Sequence, residues 1–441
     1  MNVSRRTLYV VGGAVVLAIA IAGVVRFAFD DDSESDEATP TAANVAHAGG
    51  DSGPAPSAAS AKDQASAEQE IEDTWTPEAI EGAFQNPSLP TVEPPPGTPA
   101  PSPSTPSNQP TPAPGGSEPP VIVNRAAGVA EARCQQPPKL DPYPGLPYVR
   151  TCYNAALGTR PSRWIGVLLS KTGTAKDGTV CSATVAASGP GGNRSVLVTA
   201  GHCVGIAKGD LDGDDPATRW IPNSDFLWFP WGQVKALWQH IHAYKAEQIT
   251  RAQFDAWTHS AGWKPRFYSN GNWVGFADTR YMEGNASAFD FATVVLAPKG
   301  GETVEERFGG AGIDASGEAA GAVINSYGYP AERPFPGDQL FLCTGQSKIV
   351  GSEVQAGSAE IVIGCDMTGG SSGGPWMVRG TQSIVAVNSH GWRYTGTPPP
   401  DVPTRDKQPA LMIGPHLNLD HWNIYVCARE VDTTQTTCKL G

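Results

Sequence analysis

From residue 134 to the C-terminus, the apolar residues come in short stretches cut by Gly and Pro. Trp164-Ile165-Gly166-Val167-Leu168-Leu169, Ser195-Val196-Leu197-Val198-Thr199, Phe291-Ala292-Thr293-Val294-Val295-Leu296 and Ile361-Val362-Ile363 are the clearest. Stretches of this length, rich in β-branched residues and bounded by turn formers, suit strands and are short for helices. Their recurrence predicts an all-β sandwich or barrel over residues 134–441. One segment breaks the pattern. In residues 233–257, Val234, Leu237, Trp238, Ile241 and Tyr244 recur at helical spacing, which predicts an amphipathic helix inserted in the β domain.

The residues before 134 differ in kind. Residues 8–25 form an apolar run with Arg5 and Arg6 before it and Arg26 after it. A helix of that length spans about 27 Å, close to the hydrocarbon thickness of a bilayer. The flanking charges would hold Arg5 and Arg6 inside and leave Asp30, Asp31 and Asp32 outside. Residues 1–29 are therefore expected to form a single apolar helix, either a membrane anchor or a cleaved export signal. Ser4-Arg5-Arg6 also resembles a twin-arginine signal. Residues 30–133 read as a disordered linker, acidic at first and then Pro-rich. Residues 87–120 hold 14 prolines in 34 positions, a composition that favours extended polyproline II. An island interrupts this linker, Thr74-Trp75-Thr76-Pro77-Glu78-Ala79-Ile80-Glu81, in which Thr76 can cap a helix that starts on Pro77.

The net charge of −13 lies in the linker, where residues 30–120 hold 16 Asp and Glu against the single cation Lys62. The nearly neutral remainder argues against a nucleic-acid partner. Eight Cys, an even number, suit disulfides and hence an oxidising compartment outside the cytoplasm. No Cys-x-x-Cys or tight Cys/His cluster occurs, so neither a metal nor a cofactor is expected. The alternating carboxylates of residues 209–215 lack the Gly and Glu of a calcium loop and read as a solvated acidic turn.

Three stretches carry the chemistry. Val198-Thr199-Ala200-Gly201-His202-Cys203 ends a predicted strand. Ala288-Phe289-Asp290-Phe291-Ala292 sets an Asp among apolar residues. Gly369-Gly370-Ser371-Ser372-Gly373-Gly374-Pro375 is too rich in Gly for a strand interior. An alcohol is a weak nucleophile at neutral pH and needs a base within hydrogen-bond reach, itself oriented by a third group. His supplies such a base and a buried Asp fixes its tautomer. Glycines let backbone N–H groups converge on a developing oxyanion.

With these residues in view, the sequence resembles the chymotrypsin/trypsin-like serine peptidase family, and bacterial secreted members most. Thr199-Ala200-Gly201-His202-Cys203 is similar to the family's histidine motif, and Gly370-Ser371-Ser372-Gly373-Gly374-Pro375 to its nucleophile motif. The order His, Asp, Ser also agrees. The resemblance implies a double six-stranded β-barrel and a serine endopeptidase acting through an acyl-enzyme. Ser372 would be the nucleophile, His202 the base and acid, and Asp290 its partner, with the N–H groups of Gly370 and Ser372 forming the oxyanion hole. It further implies a histidine-loop disulfide Cys181–Cys203, after which Cys343–Cys365 would close a loop before the nucleophile. Cys134–Cys152 and Cys427–Cys438 are the simplest remaining pairs, although eight Cys allow 105 arrangements. Ser371 stands where the family's activation-linked Asp would be, so a zymogen switch of that type is not expected.

The reading of substrate is less constrained. Asp366 lies six positions before Ser372, the offset of a pocket carboxylate that selects Lys or Arg; an exposed turn Asp is the plainer role. Ser389-His390-Gly391 resembles the strand that pairs with substrate, and His390 could instead favour Glu. His47, His240, His242, His259, His416 and His421 carry no motif. The expected partner is a protein or peptide substrate, with the membrane held through residues 8–25 if these are uncleaved, and the expected protein is a monomer outside the cytoplasmic membrane. Two alternatives stand beside this one. An inactive peptidase-like domain would act as a cell-surface binding module. An α/β-hydrolase esterase formally shares Gly-x-Ser-x-Gly but requires the chain order Ser, Asp, His.

Overall fold

Two mainly antiparallel sheets carry the domain in the computed structural model, which describes residues 42–44, 64–87, 91–92, 137, 139–140, 142, 145–153, 162–171, 178–189, 195–205, 226–267, 274–284, 287–317, 319–350, 359–392 and 410–430. The first sheet runs, edge to edge, through Ala42–Asn44, Gly275–Asp278, Ala292–Val295, Val196–Thr199, Thr179–Val185, Ile165–Ser170 and Phe226–Pro230. The second runs through Gly312–Ile313, Ser383–Val387, Pro375–Val378, Val323–Gly328, Phe341–Gln346 and Tyr148–Cys152. Lys348–Val350, Glu360–Gly364 and Leu411–Pro415 form a third, smaller sheet. The four apolar runs of the sequence are strands, each within a residue or so of its expected bounds. Among the described residues the strand pairing does not close either large sheet into the expected six-stranded barrel. A single bridge between His390 and Ile413 joins the third sheet to the segment after Ser383–Val387.

Every residue of Ile165–Ser170 and Thr179–Val185 is buried. A sheet with one wet face would alternate apolar and polar residues, so both faces here must be covered. One cover comes from the expected helical insertion, which is two helices rather than one. Trp231–Lys245 buries Val234, Leu237 and Ile241, while Arg251–Ala261 buries Phe254 and Ala261. The break has a local cause. Glu247 takes a positive φ of 55°, and Thr250 then starts a new helix by accepting from the Gln253 N–H, with the Gln253 side chain returning to the Thr250 N–H.

A second helical cover packs beside the first, with Phe84 and Trp238 ring centroids 4.8 Å apart, and corrects the linker reading. Residues 64–87, expected to be disordered, form the helices Gln64–Thr74 and Pro77–Gln85. The island contains the cap as expected, since Thr76 Oγ1 accepts from the Ala79 N–H and Pro77 is the first helical residue. Ile71, Trp75, Ile80, Ala83 and Phe84 belong to the main core, with Trp75 only 1% exposed. Apolar residues spaced along an acidic segment were enough to give it a buried face, which composition alone obscures. Ala42–Asn44 likewise pairs with Gly275–Asp278.

Among the described residues no helix is long and apolar enough to cross a membrane. The run at residues 8–25, the acidic turn at 209–215, and most of the Pro-rich stretch lie outside the described residues.

Candidate active site

His202 sits in a short 3-10 turn, Gly201–Cys203, at the end of strand Val196–Thr199. Asp290 follows another such turn, Ser287–Phe289, and leads into Ala292–Val295. These two strands are neighbours, with Thr199 opposite Ala292, so residues 88 apart in sequence meet at the same end of one sheet. His202 Nδ1 lies 2.8 Å from Asp290 Oδ2, and the His202 backbone N–H donates to Asp290 Oδ1 at 2.9 Å. Both side chains are buried. Two-point attachment fixes the imidazole in the tautomer that donates from Nδ1. His202 Nε2 is buried with no hydrogen-bond partner among the described residues.

A third donor completes the carboxylate, since Ser389 Oγ lies 2.5 Å from Asp290 Oδ2. Burial alone would push the Asp290 carboxyl up; the charge and hydrogen bond of His202, with the bonds from Ser389 and the His202 backbone, hold it below the ordinary value. Asp290 is therefore ionised at neutral pH, as a group that stabilises an imidazolium must be.

Ser372 lies in a turn fixed from two sides. Its carbonyl accepts from the Ser182 N–H at 2.6 Å, and Ser182 Oγ donates to the Gly370 carbonyl at 2.9 Å while accepting from the Tyr329 N–H. On the other side, the Gly373 N–H donates to the Asn388 carbonyl and the Asn388 N–H to the Gly374 carbonyl. The Asn388 side chain is fully employed: Nδ2 donates to the carbonyls of Tyr327 and Ser371, and Oδ1 accepts from Ser326 Oγ and Trp376 Nε1. Gly370 has φ +93°, and a Cβ there would lie 2.5 Å from the Tyr329 carbonyl oxygen. At Gly373, φ +77°, a Cβ would lie 2.0 Å from Thr199 Oγ1. Only Gly fits either place.

These contacts make a ring. Ser182 holds the Ser372 turn and neighbours Cys181, whose disulfide to Cys203 reaches the residue after His202. His202 binds Asp290, Asp290 binds Ser389, and Ser389 follows Asn388, which returns to the Ser372 turn. Ser182 and Asn388 escaped the sequence reading, because a Ser in a strand and an Asn before Ser389 have no pattern of their own.

Cys343–Cys365 is the second disulfide seen in full. Cys152 and Cys427 are also disulfide-bonded, and the pairs expected for them involve Cys134 and Cys438, outside the described residues. Cys181, His202 and Cys203 bring three ligand-type atoms within 4.8 Å of one another, but disulfide sulfurs offer no thiolate to a metal.

The two candidate specificity residues are both engaged within the chain. Asp366 is 5% exposed, and its Oδ2 accepts from Arg150 Nη1 at 2.5 Å and from the Leu140 N–H at 3.0 Å. His390 Nδ1 lies 3.0 Å from Ser389 Oγ, and its Nε2 lies 3.6 Å from Glu360 Oε1. Burial pushes the His390 imidazole down to about 4, so it is neutral near pH 7. Burial also holds the Glu360 carboxyl above its ordinary value. Gly391 opens the short strand Gly391–Trp392, which pairs in parallel with Thr91–Val92.

No protein-family model matches the sequence, and no curated protein matches it. Solved structures do match. Protease Anisep from Arthrobacter nicotinovorans is 23% identical over 64% of this chain and 99% of that chain, with a TM-score of 0.44. A thermostable serine protease, AL20, from an extremophilic microorganism is 24% identical over 60% of this chain and 95% of that one, with a TM-score of 0.40. A Glu endopeptidase is 16% identical over 63% and 95%, with a TM-score of 0.38.

Proposed function

We propose that the chain is a serine endopeptidase. Ser372 Oγ attacks the carbonyl carbon of a peptide bond while its proton passes to His202 Nε2. The N–H groups of Gly370 and Ser372 stabilise the oxyanion. The tetrahedral intermediate collapses as His202 gives the proton to the leaving nitrogen, which frees the amine and leaves an ester on Ser372. Water, deprotonated by His202, then attacks the ester and restores the enzyme. Asp290 keeps the imidazole oriented and offsets its positive charge.

The observation that carries this reading is the buried His202–Asp290 pair, held by two hydrogen bonds, with Nε2 left without a partner among the described residues. A histidine serving only as packing would not need a buried, ionised carboxylate on one nitrogen. The disulfides Cys181–Cys203 and Cys343–Cys365 favour an oxidising compartment, which fits export with residues 8–25 as tether or signal.

On the substrate side, Asp366 is neutralised by Arg150 and His390 is uncharged near neutral pH. Neither offers an unpaired charge, which favours an uncharged side chain before the scissile bond. Labelling by a fluorophosphonate probe tests the mechanism. Wild-type protein should be labelled and Ser372→Ala should not, while Asp290→Asn should lower kcat about 10⁴-fold. Folded protein that resists the probe would point to the binding module instead. Cleavage profiling on a peptide library tests the pocket, and a strong preference for Lys, Arg or Glu would contradict this assignment.

A further inference from the structure

Thr91–Val92 lies as a parallel strand on Gly391–Trp392, with Thr91 opposite Gly391 and Val92 opposite Trp392. Gly391 directly follows Ser389 and His390, the stretch expected to align a substrate backbone. On the other wall, the Pro87 carbonyl oxygen lies 2.7 Å from where a Cβ on Gly369 would be, and Gly369 directly precedes Gly370 of the oxyanion turn. Thr179 Oγ1 donates to the Asn86 carbonyl at 2.8 Å, and Asn86 Nδ2 donates to the Gly178 carbonyl at 3.4 Å. Pro87 thus meets the turn that holds Ser372, and Thr91–Val92 meets the strand after Ser389.

We propose that Asn86–Pro87 and Thr91–Val92 are a built-in occupant of the peptide-binding groove, which must leave before a substrate chain can pair with Gly391–Trp392. The proposal rests on the serine endopeptidase reading for its consequence. Strand addition at a sheet edge draws on main-chain hydrogen bonds and asks little of side chains, so Thr-Val suffices to fill the edge. A two-residue pairing would be weak in isolation. Here the preceding helix Pro77–Gln85 is anchored by the buried Ile80, Ala83 and Phe84, which turns the pairing into an intramolecular event at an effective concentration on the order of millimolar. The pairing also has a natural end. Pro94-Pro95-Pro96 follows Val92 and Glu93, and proline has no N–H to extend a ladder. The occupant thus differs from the activation switch that Ser371 makes unexpected, since it acts by filling the groove and not by reshaping it.

The test uses the full chain with Thr91→Pro and Val92→Pro together, which removes both N–H groups and changes no residue of the helices. Thr91→Ala with Val92→Ala is the control that keeps the backbone donors. Three quantities are measured on each protein: hydrogen exchange at Gly391 and Trp392, hydrolysis of a mixed peptide library, and labelling by a small fluorophosphonate. The double-proline variant should exchange at Gly391–Trp392 at least tenfold faster and hydrolyse peptides at least tenfold faster, with labelling similar in all three proteins and exchange in Thr179–Val185 unchanged. Unchanged exchange at Gly391–Trp392 would overturn the proposal, and so would faster exchange with labelling but no gain in hydrolysis. If no protein is labelled or hydrolyses peptide, the endopeptidase reading fails, and exchange alone decides whether the segment fills the groove.

Discussion

The Ser182 backbone N–H donates to the Ser372 carbonyl oxygen at 2.6 Å, across 190 residues of sequence. The same Ser182 binds the Gly370 carbonyl through its hydroxyl and receives the Tyr329 N–H. One side chain therefore sets the orientation of the peptide that follows Gly370 and carries the turn toward Ser372. Ser182→Ala leaves the backbone contact to Ser372 but strips two buried groups of their partner. An unsatisfied buried group costs about 1–3 kcal/mol, so stability should fall by about 2–4 kcal/mol. Because the turn holds proposed oxyanion donors, kcat should fall by about tenfold or more while KM moves little. Urea unfolding and steady-state kinetics on the same protein check both parts. A loss of stability with unaltered kcat would restrict Ser182 to a structural role.

Asp366 and Arg150 form a buried pair, and that geometry makes a different prediction. Arg150 Nη2 also donates to the Pro137 carbonyl, and the guanidinium lies over the Phe335 ring, 5.0 Å from its centroid. Arg150→Met would leave a buried carboxylate without its cation, a change that typically costs about 3–5 kcal/mol. Replacing both residues, Arg150→Met with Asp366→Leu, removes the stranded charge and should recover most of the loss. Chemical denaturation of the two single variants and the double variant measures the coupling. Full additivity of the two changes would show that the pair contributes no specific interaction.

Much of the site was legible because its chemistry is local in sequence. Gly201-His202-Cys203 and Gly370-Ser371-Ser372 announce themselves by residue type and by the turns that Gly permits. Asp290 stands out in the sequence as a carboxylate set between Phe289 and Phe291, and folding pairs it with His202. What sequence did not reveal were contacts made by ordinary residues brought together only by folding. Ser182 and Asn388 hold the Ser372 turn by bonds to its main-chain groups, and such hydrogen bonding leaves no mark on composition. The buried pairing of Asp366 was not legible, because its partner Arg150 lies 216 residues away. The helices at 64–85 were hidden by their surroundings: an acidic, Pro-flanked segment reads as linker until Ile71, Trp75, Ile80 and Phe84 are seen to meet one core.

Trp75 gives the sharpest test of that point. It is buried beside Gly178, where a Cβ would lie 2.8 Å from its ring, and it joins the helix Gln64–Thr74 to the cap of Pro77–Gln85. If residues 64–87 were a loose linker, Trp75→Ala would change nothing. Truncating a buried Trp instead costs about 3–5 kcal/mol through lost burial and the cavity left behind. The expected result is a drop in thermal midpoint of roughly 6–20 °C, with a 1 kcal/mol loss corresponding to about 2–4 °C in a domain of this size. Scanning calorimetry on the full chain measures it, and a shift below about 2 °C would return this segment to the linker.

Acid should unfold the domain through buried histidines before it protonates Asp290. His421 is fully buried between the rings of Phe289 and Phe291, and its Nδ1 lies 2.8 Å from Asn418 Oδ1. Burial, with the nearby positive charge of Arg280, pushes its imidazole down to about 3. The unfolded chain takes up this proton near the ordinary histidine value of about 6.5, so the stability contribution is complete above that value and is lost progressively as pH falls toward 3. His390, down to about 4 by burial, acts in the same sense. Glu360, held up by burial, acts in the opposite sense, and Asp290, held down by His202 and Ser389, enters only below the ordinary carboxylate range. Between pH 7 and pH 4, His421 alone accounts for a loss of about 3 kcal/mol. The urea midpoint of the wild type should therefore fall steeply over that interval, and His421→Gln, less stable at pH 7, should show a visibly flatter dependence. Parallel slopes for the two proteins would mean that His421 does not titrate on unfolding, and that the acid limb originates elsewhere in the domain.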